Sequence, residues 1–179
     1  MIHTMLDIET LSLRHDALIT EIGAVKFNAD EILERFHVGI DIVDAQRTYN
    51  RHIDAATVLY WLDEKRAEAR KAMLDLPRID MFNAFDGLAL WVNQTPPDQR
   101  GSIWGKGSTF DNVLVKGGFE AVGLEYPATY KQDECYRTLA NRCPDVPYEQ
   151  IGTAHVSIAD AESQAVHLQK ICKQYGIAL

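Results

Sequence analysis

Ile2-His3-Thr4-Met5-Leu6-Asp7-Ile8-Glu9-Thr10 is an apolar run that ends in two acids. Residues 2–8 read as a strand, and on a strand positions i and i+2 share a face, so Asp7 and Glu9 project side by side. Two carboxylates on one face of an apolar strand repel each other and lose hydration unless a divalent cation sits between them. An isolated Asp-x-Glu is explained as well by a solvated strand end, so the pair has to be weighed with the rest of the chain.

Outward from this strand the period-2 pattern continues. Residues 18–27 form a second apolar segment with Gly23 inside it. Residues 32–40 alternate, with Phe36, Val38 and Ile40 on one face and Arg35 and His37 on the other. Helical spacing then takes over at 54–73, around Val58, Trp61 and Leu62. It returns at 80–93, where Asp80 is an N-cap for a stripe of Met81, Phe82, Phe85, Leu88, Ala89 and Val92. Ser102-Ile103-Trp104 reads as a short further strand, 110–122 as a helix, and 159–175 as a last helix burying Ala161, Ala165, Leu168 and Cys172. Three strands followed by alternating helices and strands indicate an α/β fold with a mixed sheet.

Composition narrows the class. The 179 residues fit one domain, 1–179, and 46% apolar content is ordinary for a globular protein. The first residues do not read as a signal peptide, and no run approaches the ~18–20 apolar residues of a membrane span. Cys135, Cys143 and Cys172 are odd in number and show no CxxC spacing, which reads as reduced thiols in a cytoplasmic protein. The net charge of −8 argues against a protein that grips nucleic acid mainly through phosphate contacts, but is compatible with an enzyme that holds strand ends weakly. Thr95-Pro96-Pro97-Asp98 and the glycines from Gly101 to Gly107 read as loops within the domain.

Two distant motifs keep company with Asp7 and Glu9. Phe110-Asp111 opens a helix after a glycine-bearing loop, and His155-Val156-Ser157-Ile158-Ala159-Asp160 leads into the last helix. The order DxE, FD, HxxxxD, with Glu21-Ile22-Gly23-Ala24-Val25 on the second strand, resembles the DnaQ-like DEDDh 3′→5′ exonucleases over nearly the whole chain. Thr57-Val58-Leu59-Tyr60-Trp61-Leu62, Trp104-Gly105, and Asp133 followed by Arg137-Thr138 resemble more closely the subgroup of the phage exodeoxyribonuclease DexA and the ribonuclease RNase AS. Ser157 stands where that histidine motif usually has alanine, and three residues separate Asp133 from Arg137.

The resemblance implies an RNase H-like fold, a mixed five-stranded sheet with flanking helices. It implies that Asp7, Glu9, Asp111 and Asp160 hold two Mg²⁺ or Mn²⁺ ions and that His155 is the general base. Hard carboxylate oxygens suit these ions, and a neutral imidazole can take a proton from water. Tyrosine members of the family carry their tyrosine four residues before the last Asp, where this chain has Val156. The implied partner is the 3′ end of single-stranded DNA or RNA, with no membrane; a homodimer is compatible. By the same resemblance the backbone at Thr10 and Leu11 meets the terminal nucleotide, with Leu11 wedged against its base. Trp61 stacks a base or sugar, or else is a core residue. Arg137 clamps a phosphate, or else forms a surface ion pair. The alternative functions are an oligoribonuclease-like or polymerase-proofreading exonuclease, and a non-catalytic nucleic-acid-binding module of the same fold.

Other features read plainly. Gly105-Lys106-Gly107-Ser108 lacks the leading glycine of a P-loop, and His3, His15, His37, His52 and His167 show no metal-ligand spacing. The charges from Asp63 to Arg70 read as a solvated helix face.

Overall fold

The computed structural model describes residues 1–179. Strands β1 (Ile2–Thr10), β2 (Ile19–Phe27) and β3 (Ile32–Ile40) form an antiparallel meander. Helices α1 (Ile42–Tyr49), α2 (Ala55–Leu62) and α3 (Ala67–Asp75) lead to a short strand β4 (Arg78–Ile79) and to α4 (Met81–Asn93). Then follow β5 (Arg100–Gly105), α5 (Asp111–Val122), β6 (Asp133–Cys135), α6 (Tyr136–Ala140) and α7 (Ser157–Tyr175). The strand order is β4-β3-β2-β1-β5-β6, with β4, β5 and β6 each added in parallel to a neighbour. The mixed α/β sheet is as expected, but it has six strands and not five. The edge strands β4 and β6 span two and three residues, too few to leave an alternating pattern.

The helix expected over 54–73 is broken. Asp54 caps α2 by accepting from the Thr57 amide, and Asp63 ends it, turning its carboxylate to the Lys65 amide at 2.8 Å. A 3₁₀ turn and α3 follow. Asp80 caps α4 as expected, accepting from the Asn83 amide at 2.9 Å. Phe82 is exposed, and Trp91 takes a place on the buried stripe instead. No helix is long and apolar enough to cross a membrane.

The sheet separates two apolar layers. Leu6 and Ile8 of β1 pack with Phe85 and Leu88 of α4 and Leu114 and Phe119 of α5. Met5, on the opposite face, packs with Val25, Phe27 and the α7 residues Ala161, Ala165, Leu168 and Cys172. By strand alternation Asp7 and Glu9 continue the Met5 row, so they emerge under the start of α7.

Gly23 makes that approach possible. It pairs with Asp7 across β1 and β2. A Cβ there would run into the backbone of Ser157 and Ile158. The side chain of Glu21 completes the dock by accepting from the Ser157 amide at 2.7 Å. Ser157 is fully buried, so a small side chain is what the site needs, whether serine or alanine.

Candidate active site

Each of the five motif residues is brought to the end of β1. Asp7 is buried and accepts from the Gln164 side chain at 2.7 Å. Asp111 opens α5 and accepts from the Lys106 amide at 2.7 Å. Gly105 lets that turn close, because a Cβ on it would strike Asn112 and Asp111. Asp160 lies in the first turn of α7, which begins at Ser157, three residues ahead of it. Its carboxylate accepts from Gln150 at 2.7 Å and from the His155 backbone amide at 3.1 Å. Ligand atoms of Glu9, His155 and Asp160 all lie within 4.8 Å of one another.

The electrostatics are those of crowded, dehydrated acids. Burial, followed by the charges of Asp111, Glu9 and Asp160, holds the Asp7 carboxyl well above the usual carboxylate range. Burial, then Glu21, Asp160 and Asp111, pushes Glu9 up to about 8, with Lys106 opposing. Burial raises Asp111 to about 6 against the pull of hydrogen bonds from the Lys106, Asp111 and Ile8 amides. Four converging carboxylates with this much mutual repulsion fit a divalent cation: the donors are hard oxygens, and no cysteine is among them. The same four would hold Mg²⁺ or Mn²⁺.

His155 sits beside them with φ 64°, in the left-handed region. Its ring meets Tyr60 edge-on at a centroid distance of 5.9 Å, and the Tyr60 hydroxyl is 3.3 Å from Nε2. Burial first, then the charges of Arg66 and Lys106, lowers its pKa, with Asp160 pulling the other way. Thr153 in the same loop donates to Glu68 of α3 at 2.7 Å, which ties the histidine loop to the helical side of the site.

A hollow of about 390 Å³ opens beside Glu9, walled by Thr10, Leu13, Tyr60, Trp61 and Phe110. Trp61 is nearly buried, and its indole N–H donates to the Thr10 carbonyl at 2.9 Å. The Leu11 amide donates to the Leu18 carbonyl and its own carbonyl accepts from the Asp54 amide. Both backbone groups of Leu11 are therefore engaged inside the protein. Its side chain packs into the core, against Trp61 and its neighbours, and Leu13 is the leucine that reaches the hollow. Arg137 lies on the far side of Phe110, in a neighbouring hollow. Asp133 fastens β6 to α5 through Lys116 and Asn112.

Sequence reasoning quoted Tyr60 only within the Thr57–Leu62 motif, without a role, and missed Lys106, Gln150 and Gln164. Of these three only Gln164 left a usable signal: it stands one helical turn after Asp160, on the same face.

This fold, with acids and a histidine gathered at the end of β1, is that of a 3′→5′ exonuclease. The chain belongs to the family described as the 3′-5′ exoribonuclease Rv2179c-like domain, which it matches over residues 2–172. Among solved structures it resembles the nuclease domain of 3′hExo, a DEDDh family member, bound to rAMP. That match has a TM-score of 0.67 at 14% identity and covers 99% of this chain and 94% of the other. A 3′-exonuclease from a structure of 3′-end specific recognition of histone mRNA stem-loop matches with TM-score 0.68 at 12% identity, over 99% and 65% of the two chains. A full-length 3′-exonuclease matches with TM-score 0.62 at 12% identity, over 99% and 84%. At such identities these likenesses speak for the fold. No curated protein sequence matches the chain.

Proposed function

We propose that the chain releases nucleoside 5′-monophosphates from the 3′ ends of single-stranded RNA, with two divalent cations held by Asp7, Glu9, Asp111 and Asp160 and with His155 as general base. The observation that carries this reading is the convergence of the buried acids with His155 at the end of β1, where three ligand groups fall within 4.8 Å of one another. RNA is chosen over DNA because the family is described as exoribonuclease. The Trp104-Gly105 and Arg137-Thr138 motifs support a place beside DexA and RNase AS.

When bound, the cations supply charge neutralisation at the attacking and leaving oxygens of a phosphodiester. The protein's own groups do the rest. His155 takes a proton from the attacking water, and its lowered pKa keeps the imidazole neutral and able to accept at physiological pH. The Tyr60 hydroxyl holds the ring in place. The terminal nucleoside lies in the hollow between Tyr60 and Phe110, with its sugar end toward Glu9 and Thr10. Trp61 supports that wall by gripping Thr10.

Digestion of matched 5′-labelled single-stranded RNA and DNA, with Mg²⁺, Mn²⁺ or EDTA, tests the proposal. The expected result is a ladder shortening from the 3′ end, faster on RNA and absent in EDTA. Equal rates on DNA would remove the RNA preference, and cleavage of covalently closed circles as readily as linear strands would sink the exonuclease reading.

A further inference from the structure

Gln164 is fully buried on α7. Ala161 and Leu168 stand one helical turn to either side of it and belong to the apolar layer under the sheet. A carboxamide among such neighbours is unfavourable: its Oε1 is buried without a hydrogen-bond partner, and an orphaned acceptor destabilises a protein. Methionine or leucine would fill the place without that loss. What the carboxamide does is donate to Asp7 Oδ1 at 2.7 Å, and it is the one donor to that carboxylate. The protein does not otherwise relieve the charge gathered there. None of its ion pairs includes Asp7, Glu9, Asp111 or Asp160. The partner of Asp7 is therefore neutral, in a place where lysine or arginine would bond a buried acid more strongly.

We infer that Gln164 is a positioning residue for metal capture: it holds Asp7 by one oxygen and leaves the other oxygen, and the charge, for a divalent cation. The inference rests on the proposed function and deepens it. A carboxylate pinned through Oδ1 has lost the freedom to turn away from its three acidic neighbours, so less ordering is left for the cation to impose. A cationic side chain would pin the same oxygen, but it would also cancel the charge that draws the ion. A neutral N–H orients without cancelling. α7 thus serves the site twice: Asp160 is a ligand, and one turn further on Gln164 holds a ligand that belongs to β1.

Uptake of Mn²⁺ by the full chain, without nucleic acid, is read from the EPR signal of the free ion. Gln164→Met keeps the length and volume of the side chain but has no side-chain N–H, and is expected to raise the Kd about 10–100-fold. Gln164→Leu should do the same and takes its place if the methionine variant does not fold. A cooperative melt in EDTA reports folding for each. Gln164→Lys, which brings an ammonium to Asp7, should abolish uptake. Gln169→Met is the control. Gln169 lies on the same helix, and its carboxamide donates to the Asn28 carbonyl at 2.8 Å, at the other end of the β1–β2 ladder. Its loss should leave the Kd at the wild-type value. On labelled single-stranded RNA, the Mn²⁺ concentration for half-maximal cleavage should rise in Gln164→Met by the same factor as the Kd. A Kd within about twofold of wild type in both Gln164→Met and Gln164→Leu overturns the inference alone, as does an equal rise in Gln169→Met. A wild type that takes up no Mn²⁺ overturns the metal site, and the inference with it.

Discussion

His155 holds a left-handed backbone, φ 64°, a conformation that strains a non-glycine residue by roughly 1–3 kcal/mol. Asparagine visits that region more easily than most residues, yet cannot accept a proton at neutral pH. His155→Asn is therefore expected to melt at or slightly above the wild-type temperature while kcat on labelled single-stranded RNA falls by about 10²–10⁴-fold. Turnover within a few-fold of wild type would remove the histidine from the chemistry. Asp7→Asn is expected to separate stability from function in the same way. It removes one of four mutually repelling groups, so the metal-free protein should melt higher, while cleavage is abolished and the Mg²⁺-induced thermal shift is lost. At this scale the five motif residues were legible because their order along the chain carries the resemblance. The leucine that lines the hollow was not. Leu11 and Leu13 are equally apolar, and only the pairing of the Leu11 amide with Leu18 and of its carbonyl with Asp54 turns one inward and leaves the other out.

Between elements, the decisive contact is the crossing of β2 by the start of α7 at Gly23. In most strands alanine is favoured over glycine, but here the added methyl group meets helix backbone, which cannot yield by a change of rotamer. Gly23→Ala should destabilise the protein by about 1–3 kcal/mol in urea titration. It should also depress activity beyond what that loss explains, because α7 carries Asp160. Stability and kcat both at wild-type values would show that the helix can slide without cost. The meander of β1 to β3, α4, α5 and α7 could be read from periodicity since each buries a continuous face. α1 could not: its inward stripe is only Ile42, Ala45 and Tyr49, of which Ala45 alone is buried, too short a run to stand out. The break after Leu62 was hidden because Asp63-Glu64-Lys65-Arg66 suits a solvated helix face as well as a capped turn. The choice is made by the Asp63 side chain bonding the Lys65 amide.

For the molecule as a whole, a buried histidine and the crowded acids set opposite slopes of stability with pH, Asp7 and Asp111 acting in the same direction as Glu9. His3 accepts from the Ser102 amide at 3.0 Å, and burial lowers its pKa from 6.5 to about 4. Between those values the unfolded chain binds the extra proton, so stability rises with pH. Glu9 is raised from 4.5 to about 8. Over that range the folded chain keeps the proton, so stability falls as pH rises. Above pH 6.5 only the second slope remains. The melting temperature of the metal-free protein is accordingly expected to drop between pH 6.5 and 8, and saturating Mg²⁺ to raise it more at pH 8 than at pH 6. A Mg²⁺ effect that shrinks with rising pH in differential scanning fluorimetry would contradict the assignment of Glu9 as a ligand. The wide separation of the acids along the chain has a further consequence. Asp7 and Glu9 are made first, but Asp160, His155 and Gln164 belong to the last helix and the loop before it, which leave the ribosome after every other element described here. On the proposed function, a growing chain therefore carries three of the four acids but no complete cleavage centre until α7 has docked.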